Sequence, residues 1–384
     1  MSHFQNWRCT DCGREFALDE VRYLCPDCAK DYSPGVPLPG VLEARFDYPM
    51  LRAAWENKPD PKLFSVLGPE YYPPLPVGNT PLFRVHRLAT ALKLQNLYIK
   101  NDSLNPSGSF KDRASELVVA DAIRLGMEEI VCASTGNAAS SLACLCAAAG
   151  KKAVIFVPAK APAAKLAQIR IHGAELHSVA GTYDDAFAAA LDYSASHNCL
   201  NRNTAYNPLT IEGKKSSGLE IYLQLGAVPD WIVIPVGDGV ILAGIHKAFV
   251  DLLRAGIITR LPRLLAVQAD SSDTITSYWE SGIYHYAAHP LTVADSISVT
   301  TPSNAHGAVR ALRETGGAVV RVSDVQILQA QKELARQTGI FAEPSSAAVL
   351  AGLLKAIQQG LAGPNDKVVL LITGHGLKDI NAVG

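Results

Sequence analysis

Asn96–Ala114 reads NLYIKNDSLNPSGSFKDRA. Its opening residues form a short, mostly apolar run, the pattern of a buried strand. Asn105-Pro106-Ser107-Gly108 then supplies turn chemistry, and a helix-forming stretch starts near Asp112. Lys111 stands at that junction, after Gly-Ser-Phe and before Asp-Arg. Two readings fit it: a solvated cation on the first turn of a helix, or an amine held for covalent chemistry.

The strand–loop–helix unit repeats on the C-terminal side. EIVCAS, KAVIFVP, ELHSVAG, DWIVIPVG, RLLAVQAD, AVVRVS and KVVLLITG are further strand-like runs. Helices are expected over 112–125, 138–149, 163–171, 183–197, 243–254, 304–314, 324–337 and 345–359. Such alternation, with nearly continuous apolar strands, argues for an α/β fold whose open parallel sheet is covered on both faces. The sequence shows no internal repeat and no low-complexity tract.

Bulk properties narrow the function classes. The 384 residues have room for two domains, and with 48% apolar and 18% charged residues they can bury a large core. A formal net charge of −1 gives no electrostatic case for nucleic acid or an anionic membrane. No apolar run approaches the ~20 residues of a bilayer span. MSHFQNWRCT lacks the basic-then-apolar pattern of a secretion signal, so a cytoplasmic protein is expected. Too few residues follow Asp379 for a separate regulatory domain, and none is expected there.

Four of the eight cysteines lie in CTDCGREFALDEVRYLCPDC, with twelve residues between the two Cys-x-x-Cys knuckles. Cys9, Cys12, Cys25 and Cys28 have zinc-ribbon spacing, and four sulfur ligands leave no open position, so a zinc ion there would be structural. The alternative is a ribbon that keeps the shape without the metal. Cys132, Cys144, Cys146 and Cys199 read as small buried hydrophobes. Proline-rich stretches, DYSPGVPLPG and YYPPLPVGNTPL, flank a helix expected around 49–57 and mark an N-terminal extension.

Ligands of open α/β sheets sit beyond the carboxyl ends of strands. Three glycine-bearing loops are placed there. Ser134-Thr135-Gly136-Asn137 follows EIVCAS and opens a helix, so its hydroxyls and free N–H groups suit a carboxylate or phosphate. A simple N-cap explains that stretch equally well. Gly237-Asp238-Gly239-Val240-Ile241 follows DWIVIPV and also looks like a phosphate cradle, although a lone Gly-x-Gly is weak and Asp238 must turn away or cap the helix. Thr373-Gly374-His375-Gly376 closes the last strand, either as a plain turn or with a hydroxyl aimed at a ring nitrogen. An amine, a partner for a ring substituent, a phosphate cradle and a ring-nitrogen partner together are what pyridoxal 5'-phosphate requires.

NPSGSFKDR, STGNAASS, PVGDG, EPSSAA at 343–348 and TGHGLKD at 373–379 resemble the fold-type II (tryptophan synthase β-like) pyridoxal-phosphate enzymes. Within that superfamily GNTPL at 78–82, NPSGSFKDR and TGHGLKD are most similar to threonine synthases, over about residues 9 to 380. The resemblance implies that Lys111 carries the cofactor as a Schiff base and then moves protons, while Phe110 packs the site. It implies Asn137 on the cofactor's phenolic oxygen, Gly237 to Ile241 on its phosphate and Thr373 on its ring nitrogen. A neutral hydroxyl at the ring nitrogen moderates the electron sink and suits elimination and replacement. Ser107, Ser134, Thr135 and Lys214 are the implied substrate contacts. The implied reaction converts O-phosphohomoserine to threonine and phosphate, in a homodimer.

Two departures stand against that pattern. Where threonine synthases carry an Asn-Pro-Tyr-Arg-x-Glu-Gly-Gln-Lys-like run, this chain has NPLTIEGKK at 207–215, so Thr210 replaces the arginine expected near the substrate phosphate. Threonine cannot make arginine's bidentate contact; Lys214 either compensates or forms a solvated face with Lys215. The cofactor loop also lacks the usual Gly-Asn-Ala-Gly-Asn-like side chains. A paralogous reaction on another hydroxy- or phospho-amino acid therefore stays open, either elimination like a threonine/serine dehydratase or β-replacement like a cysteate synthase. A non-catalytic nucleic-acid-binding role is disfavoured, because the ribbon has no dense basic or aromatic face.

The expected organisation is a zinc-ribbon-like extension over 1–45, a large domain over 46–125 and 206–384, and a small domain over 126–205. The active site is expected in the cleft between the two domains, with the small domain closing on substrate.

Overall fold

The computed structural model describes residues 3–33, 35–159, 163–287 and 290–383; Met1, Ser2 and Pro34 of the expected extension, and Gly384, lie outside them. In chain order the N-terminal part holds strands Phe4–Cys9 (β1), Glu15–Phe16 (β2) and Leu42–Phe46 (β3), then helix Tyr48–Asn57 (α1). Next come Leu82–Arg84 (β4), His86–Ala91 (α2), Asn96–Asn101 (β5), Asp112–Leu125 (α3), Glu129–Ala133 (β6) and Asn137–Ala149 (α4). Lys152–Pro158 (β7), Ala163–Arg170 (α5), Glu175–Val179 (β8), Tyr183–Ser196 (α6), Cys199–Asn201 (β9) and Leu209–Leu225 (α7) follow. Then come Trp231–Pro235 (β10), Val240–Arg254 (α8), Arg263–Ala269 (β11) and Thr274–Ser281 (α9). Ala305–Glu314 (α10), Ala318–Val322 (β12), Asp324–Thr338 (α11), Pro344–Gln358 (α12) and Lys367–Ile372 (β13) complete the order. Every expected strand and helix is present, with ends shifted by a few residues at most.

The chain divides into two compact units, Met1–Gly78 with Asn105–Ser216, and Asn79–Leu104 with Ser217–Gly384. The first holds a parallel sheet in the order β8-β7-β6-β9. Val131, Ala133, Val154 and Phe156 on its inner face pack against Ala186, Phe187 and Ala190 of α6. An antiparallel ribbon, β2-β1-β3, belongs to the same unit. The buried Phe46 and Phe64 and the nearly buried Trp55 form its aromatic seam toward α1.

The second unit holds a six-stranded sheet in the order β12-β11-β10-β13-β5-β4, parallel except for the edge strand β4. Val233, Val267 and Leu370 are buried with Val349, Leu350 and Leu353 of α12 in one apolar cluster. Burial of this kind, at roughly 25 cal/mol per Å² of apolar surface, is the main force holding such layers. Lys100 near the end of β5 is fully buried, and its amine reaches Glu220 (2.6 Å), Gln224 (2.9 Å) and the Thr80 carbonyl (2.6 Å). That satisfied charge ties β5 to the C-terminal half of α7.

Candidate active site

The first unit builds its loops around the starts of α3 and α4. Lys111 is the residue before α3, with helical backbone angles, and its N–H donates to Ser109 Oγ at 3.1 Å. The fully buried Asp112 carboxylate accepts from Ser107 twice, from the hydroxyl at 2.5 Å and the N–H at 2.7 Å. The NPSG turn is therefore folded back onto the first residue of α3, which fixes where Lys111 leaves the backbone. Ser107 spends its hydroxyl proton on Asp112.

Asn137 is the first residue of α4 and is buried. Gly136 is the N-cap, and no side chain caps this helix; Ser134 Oγ instead accepts from Gly136 N–H at 3.1 Å, inside the loop. The simple N-cap reading of STGN is thus not what the structure shows. Ser134, Thr135 and Gly136 are half-exposed at the positive end of a helix. One turn into each helix, Ser141 of α4 donates to Ser115 of α3 at 2.8 Å. Lys111 and Asn137 thus each lie one turn, ~5.4 Å of rise, from the same hydrogen bond. Arg202 Nε also donates to Ser115, at 3.1 Å, and Asn203 Oδ1 accepts from Ala133 N–H at 2.8 Å. Residues just beyond β9 therefore brace the carboxyl end of β6.

The stretch with the missing arginine proves to be helical and buried. Thr210 is fully buried in the first turn of α7, and its hydroxyl lies within hydrogen-bond reach of the carbonyls of Thr204 and of Asn207 (2.9 Å). That local back-bonding occupies its proton. Lys214 is 3% and Lys215 1% exposed, so the solvated-face alternative fails. Lys215 is held by Glu212 at 2.5 Å and lies 4.2 Å from the centroid of the Phe46 ring. Lys214 lies one turn beyond Thr210, on the same helix face. A Cβ on Gly213 would come within 2.0 Å of the Arg113 carbonyl oxygen, so only glycine lets α7 approach α3 this closely. Arg113 closes the contact by donating to Ser216 Oγ at 2.8 Å.

The ribbon grips the same stretch. Ala44 N–H of β3 donates to Glu212 at 3.0 Å, and Tyr23 stacks on Tyr206 at 4.6 Å. Tyr23 Oη accepts from Asn201 N–H at 2.9 Å, and burial pushes this phenol up to about 12, so it stays protonated. At the ribbon's tip the Sγ atoms of Cys9 and Cys28 lie 3.8 Å apart, as do those of Cys12 and Cys25. All four lie within 4.8 Å of one another. Zn–S bonds of ~2.3 Å in a tetrahedron give sulfur–sulfur edges of ~3.8 Å. The four sulfurs therefore fit zinc and stand too far apart for disulfides. The other four cysteines are buried as expected; burial raises Cys132 to about 12 and Cys199 to about 11, which keeps them as neutral thiols.

In the second unit β10 and β13 are parallel neighbours, so the loop after Pro235 and the residue after Ile372 leave the same edge of the sheet. Gly239 is the N-cap of α8 at φ 82°, again with no side-chain cap, and Val240 and Ile241 are buried. A Cβ on Gly239 would lie 2.8 Å from the Asn304 carbonyl oxygen, and one on Gly237 would lie 2.8 Å from Ile297 Cα. The Asp238 carboxylate accepts from Ser303 N–H at 2.5 Å and Ser303 Oγ at 2.8 Å. Its charge faces the turn before α10. Thr373 is buried, and its hydroxyl lies 2.9 Å from that of Ser346 in the EPSSAA stretch.

The donor sets suit pyridoxal phosphate. A capless helix N-terminus behind two constrained glycines suits its phosphate, a buried hydroxyl suits its ring nitrogen, and an amine at a helix start suits its aldehyde. Lys111 is half-buried; Lys100, Lys215 and Lys247 are buried and ion-paired to Glu220, Glu212 and Asp251.

Comparison with known proteins agrees. Residues 74–374 match the model of the family described as "Pyridoxal-phosphate dependent enzyme". The chain is 38% identical to a threonine synthase of Methanosarcina acetivorans, covering 98% of this chain and 93% of the relative. It is 36% identical to a threonine synthase of Methanocaldococcus jannaschii over the same shares, and matches of that extent include the ribbon. Among solved structures, the processed form of threonine deaminase isoform 2 from Solanum lycopersicum superposes with a TM-score of 0.68 at 22% identity, over 79% of this chain and 86% of that one. This likeness shows the shared fold. The chain therefore belongs to the pyridoxal-phosphate dependent enzyme family, as a threonine synthase-like member with the fold-type II architecture.

Proposed function

We propose that this protein converts O-phosphohomoserine and water to threonine and inorganic phosphate, as a phosphate-releasing carbon–oxygen lyase. What carries the reading is near-full-length similarity to two threonine synthases, joined to a lysine at the start of a helix that is hydrogen-bonded to the helix opened by Asn137.

Bound pyridoxal phosphate supplies the electron sink that lets protons leave the substrate's Cα and then Cβ. Gly237, Asp238, Gly239, Val240 and Ile241 would hold its phosphate, mainly through backbone N–H groups, while Asn137 would meet its phenolic oxygen and Thr373 its ring nitrogen. Lys111 would hold the cofactor's aldehyde carbon, and its amine would serve as the base and acid that moves protons at the substrate's Cα, Cβ and Cγ. Ser134 and Thr135, at the positive end of α4, bind the substrate carboxylate. Lys214 supplies the cation that Thr210 cannot, and Ser107 orients the substrate. A cytoplasmic setting draws support from the eight cysteines, none of them in a disulfide. The homodimer rests on the family resemblance, and light scattering tests it.

The experiment is product analysis. Given O-phosphohomoserine, the cofactor-loaded protein releases phosphate and forms threonine in equal amounts. If it instead forms a 2-oxoacid from threonine or serine and no phosphate, the dehydratase-like reading replaces this one.

A further inference from the structure

The ribbon covers one edge of the first unit's parallel sheet. β9 is an edge strand, and its backbone groups alternate between β6 and the open side. Arg202 N–H turns inward to the Val131 carbonyl at 2.8 Å, so Asn201 N–H faces outward, where Tyr23 Oη accepts it at 2.9 Å. The Tyr23 ring also lies on the Tyr206 ring, with centroids 4.6 Å and planes 26° apart. Both grips come from a side chain two residues before Cys25. Cys25 is fully buried, and its N–H donates to the Gly40 carbonyl at 2.8 Å. A Cβ on Gly40 would stand 3.0 Å from the Cβ atoms of both Cys25 and Cys28. The knuckle that supplies two of the four sulfurs therefore sets where Tyr23 stands.

Between the two grips runs a strained turn. Thr204 has φ 22°, at the border of a region that β-branched residues rarely enter, and such a conformation persists only where its surroundings hold it. The Thr210 hydroxyl holds its carbonyl. Asn201 closes the turn, accepting from Asn203 N–H at 2.8 Å through Oδ1 and from Asn207 Nδ2 at 2.8 Å through its carbonyl. Asn203 in turn holds Ala133 N–H, next to Ser134, and the far end of the turn runs into α7, which carries Lys214. We infer that Tyr23 is a positioning residue for the substrate, and that through it zinc binding to the ribbon and substrate binding strengthen each other. This rests on the proposed placement of the substrate on Ser134, Thr135 and Lys214. An emptied knuckle releases Tyr23, Asn201 N–H loses its acceptor, and the turn relaxes, so substrate binding must first re-form it. By linkage the same factor then appears in the affinity for zinc.

The test measures both halves of that linkage on the full-length, cofactor-loaded protein. The probe is the phosphonate analogue of O-phosphohomoserine, with a methylene in place of the ester oxygen, which keeps both charged ends and has no phosphate to release. Zinc affinity is read by competition with a chromogenic chelator and analogue affinity by calorimetry. In the wild type the analogue tightens zinc binding by about tenfold, and zinc removal weakens the analogue by the same factor, an ordinary size for coupled sites. Tyr23→Phe keeps the ring and loses the acceptor, so the coupling falls to about threefold, the change expected from one hydrogen bond. In turnover, zinc removal raises KM by about tenfold and leaves kcat within about twofold, whereas a merely structural ribbon would lower the active fraction and with it kcat. Zinc affinity indifferent to the analogue in the wild type overturns the inference whether or not any variant folds. Full tenfold coupling in Tyr23→Phe overturns it as well. A cofactor-loaded wild type that binds no analogue in either metal state is a different result, and it rejects the substrate reading itself.

Discussion

Two loops of this protein share one plan and differ in stiffness. Ser134–Asn137 follows β6 in the first unit and Gly237–Ile241 follows β10 in the second; each runs from a parallel strand into a helix whose N-terminus has no side-chain cap. The second loop is wedged. Its glycines face backbone atoms 2.8 Å from where a Cβ would stand, and Asp238 is anchored to Ser303. The first loop is half-exposed, and Gly136 has an ordinary φ of −117°. A wedged cradle suits a group that stays bound through many turnovers. An open loop suits a carboxylate that enters and leaves each time. This difference supports the proposed assignment of the cofactor phosphate to the second loop and of the substrate carboxylate to the first.

The largest effect expected is at Lys111, the proposed cofactor lysine. Lys111→Ala should lower turnover by about 10³-fold or more, as loss of both covalent attachment and proton transfer demands, with the melting temperature nearly unchanged. Assay of threonine formation beside a thermal melt checks this. The comparison itself is sharpened by matched alanines. Gly239→Ala meets both a left-handed backbone and the Asn304 carbonyl, and should weaken cofactor retention by about tenfold or more. Gly136→Ala should leave cofactor affinity within about twofold. Equal losses in equilibrium dialysis would erase the distinction between the loops.

Ser134→Ala should raise KM by about tenfold through one lost bond to a charged group, with cofactor affinity unaltered. A change in kcat at constant KM would move Ser134 out of the carboxylate site. The smallest effect concerns the ribbon, which touches α7 and the residues just before it through Tyr23, Ala44 and Phe46. Stripping zinc with a chelator should lower the melting temperature by about 5 °C and leave cofactor retention intact. Cofactor loss on chelation would mean that the ribbon supports the wedged loop too.

The parallel strands and their helices were legible because apolar runs of strand length alternate with helical ones, and the glycine loops fall where such folds bind ligands. α7 was not. Thr210, Glu212, Lys214, Lys215, Ser217 and Glu220 are all buried in it, so it shows no apolar stripe to read. Lys215 in particular looks solvated in sequence, and Glu212 and the distant Phe46 help to make its burial tolerable. β9 is three residues long, too short for a periodic signal. Ser346 stood in a quoted motif, but its partners at 373 and 374 appear only once α12 lies beside β13. Ser115 and Ser141 escaped for the same reason, since a buried serine pair between helices leaves no mark in either helix alone.

The central claim is that Lys111, among several buried or half-buried lysines, is the residue that holds the cofactor. Borohydride reduction of the cofactor-loaded protein, followed by proteolysis and peptide mass spectrometry, tests it directly. The account predicts a single pyridoxyl adduct, on the peptide carrying Lys111. An adduct on Lys100, Lys214 or Lys215 in its place, or bound cofactor with no covalent trace, would contradict it.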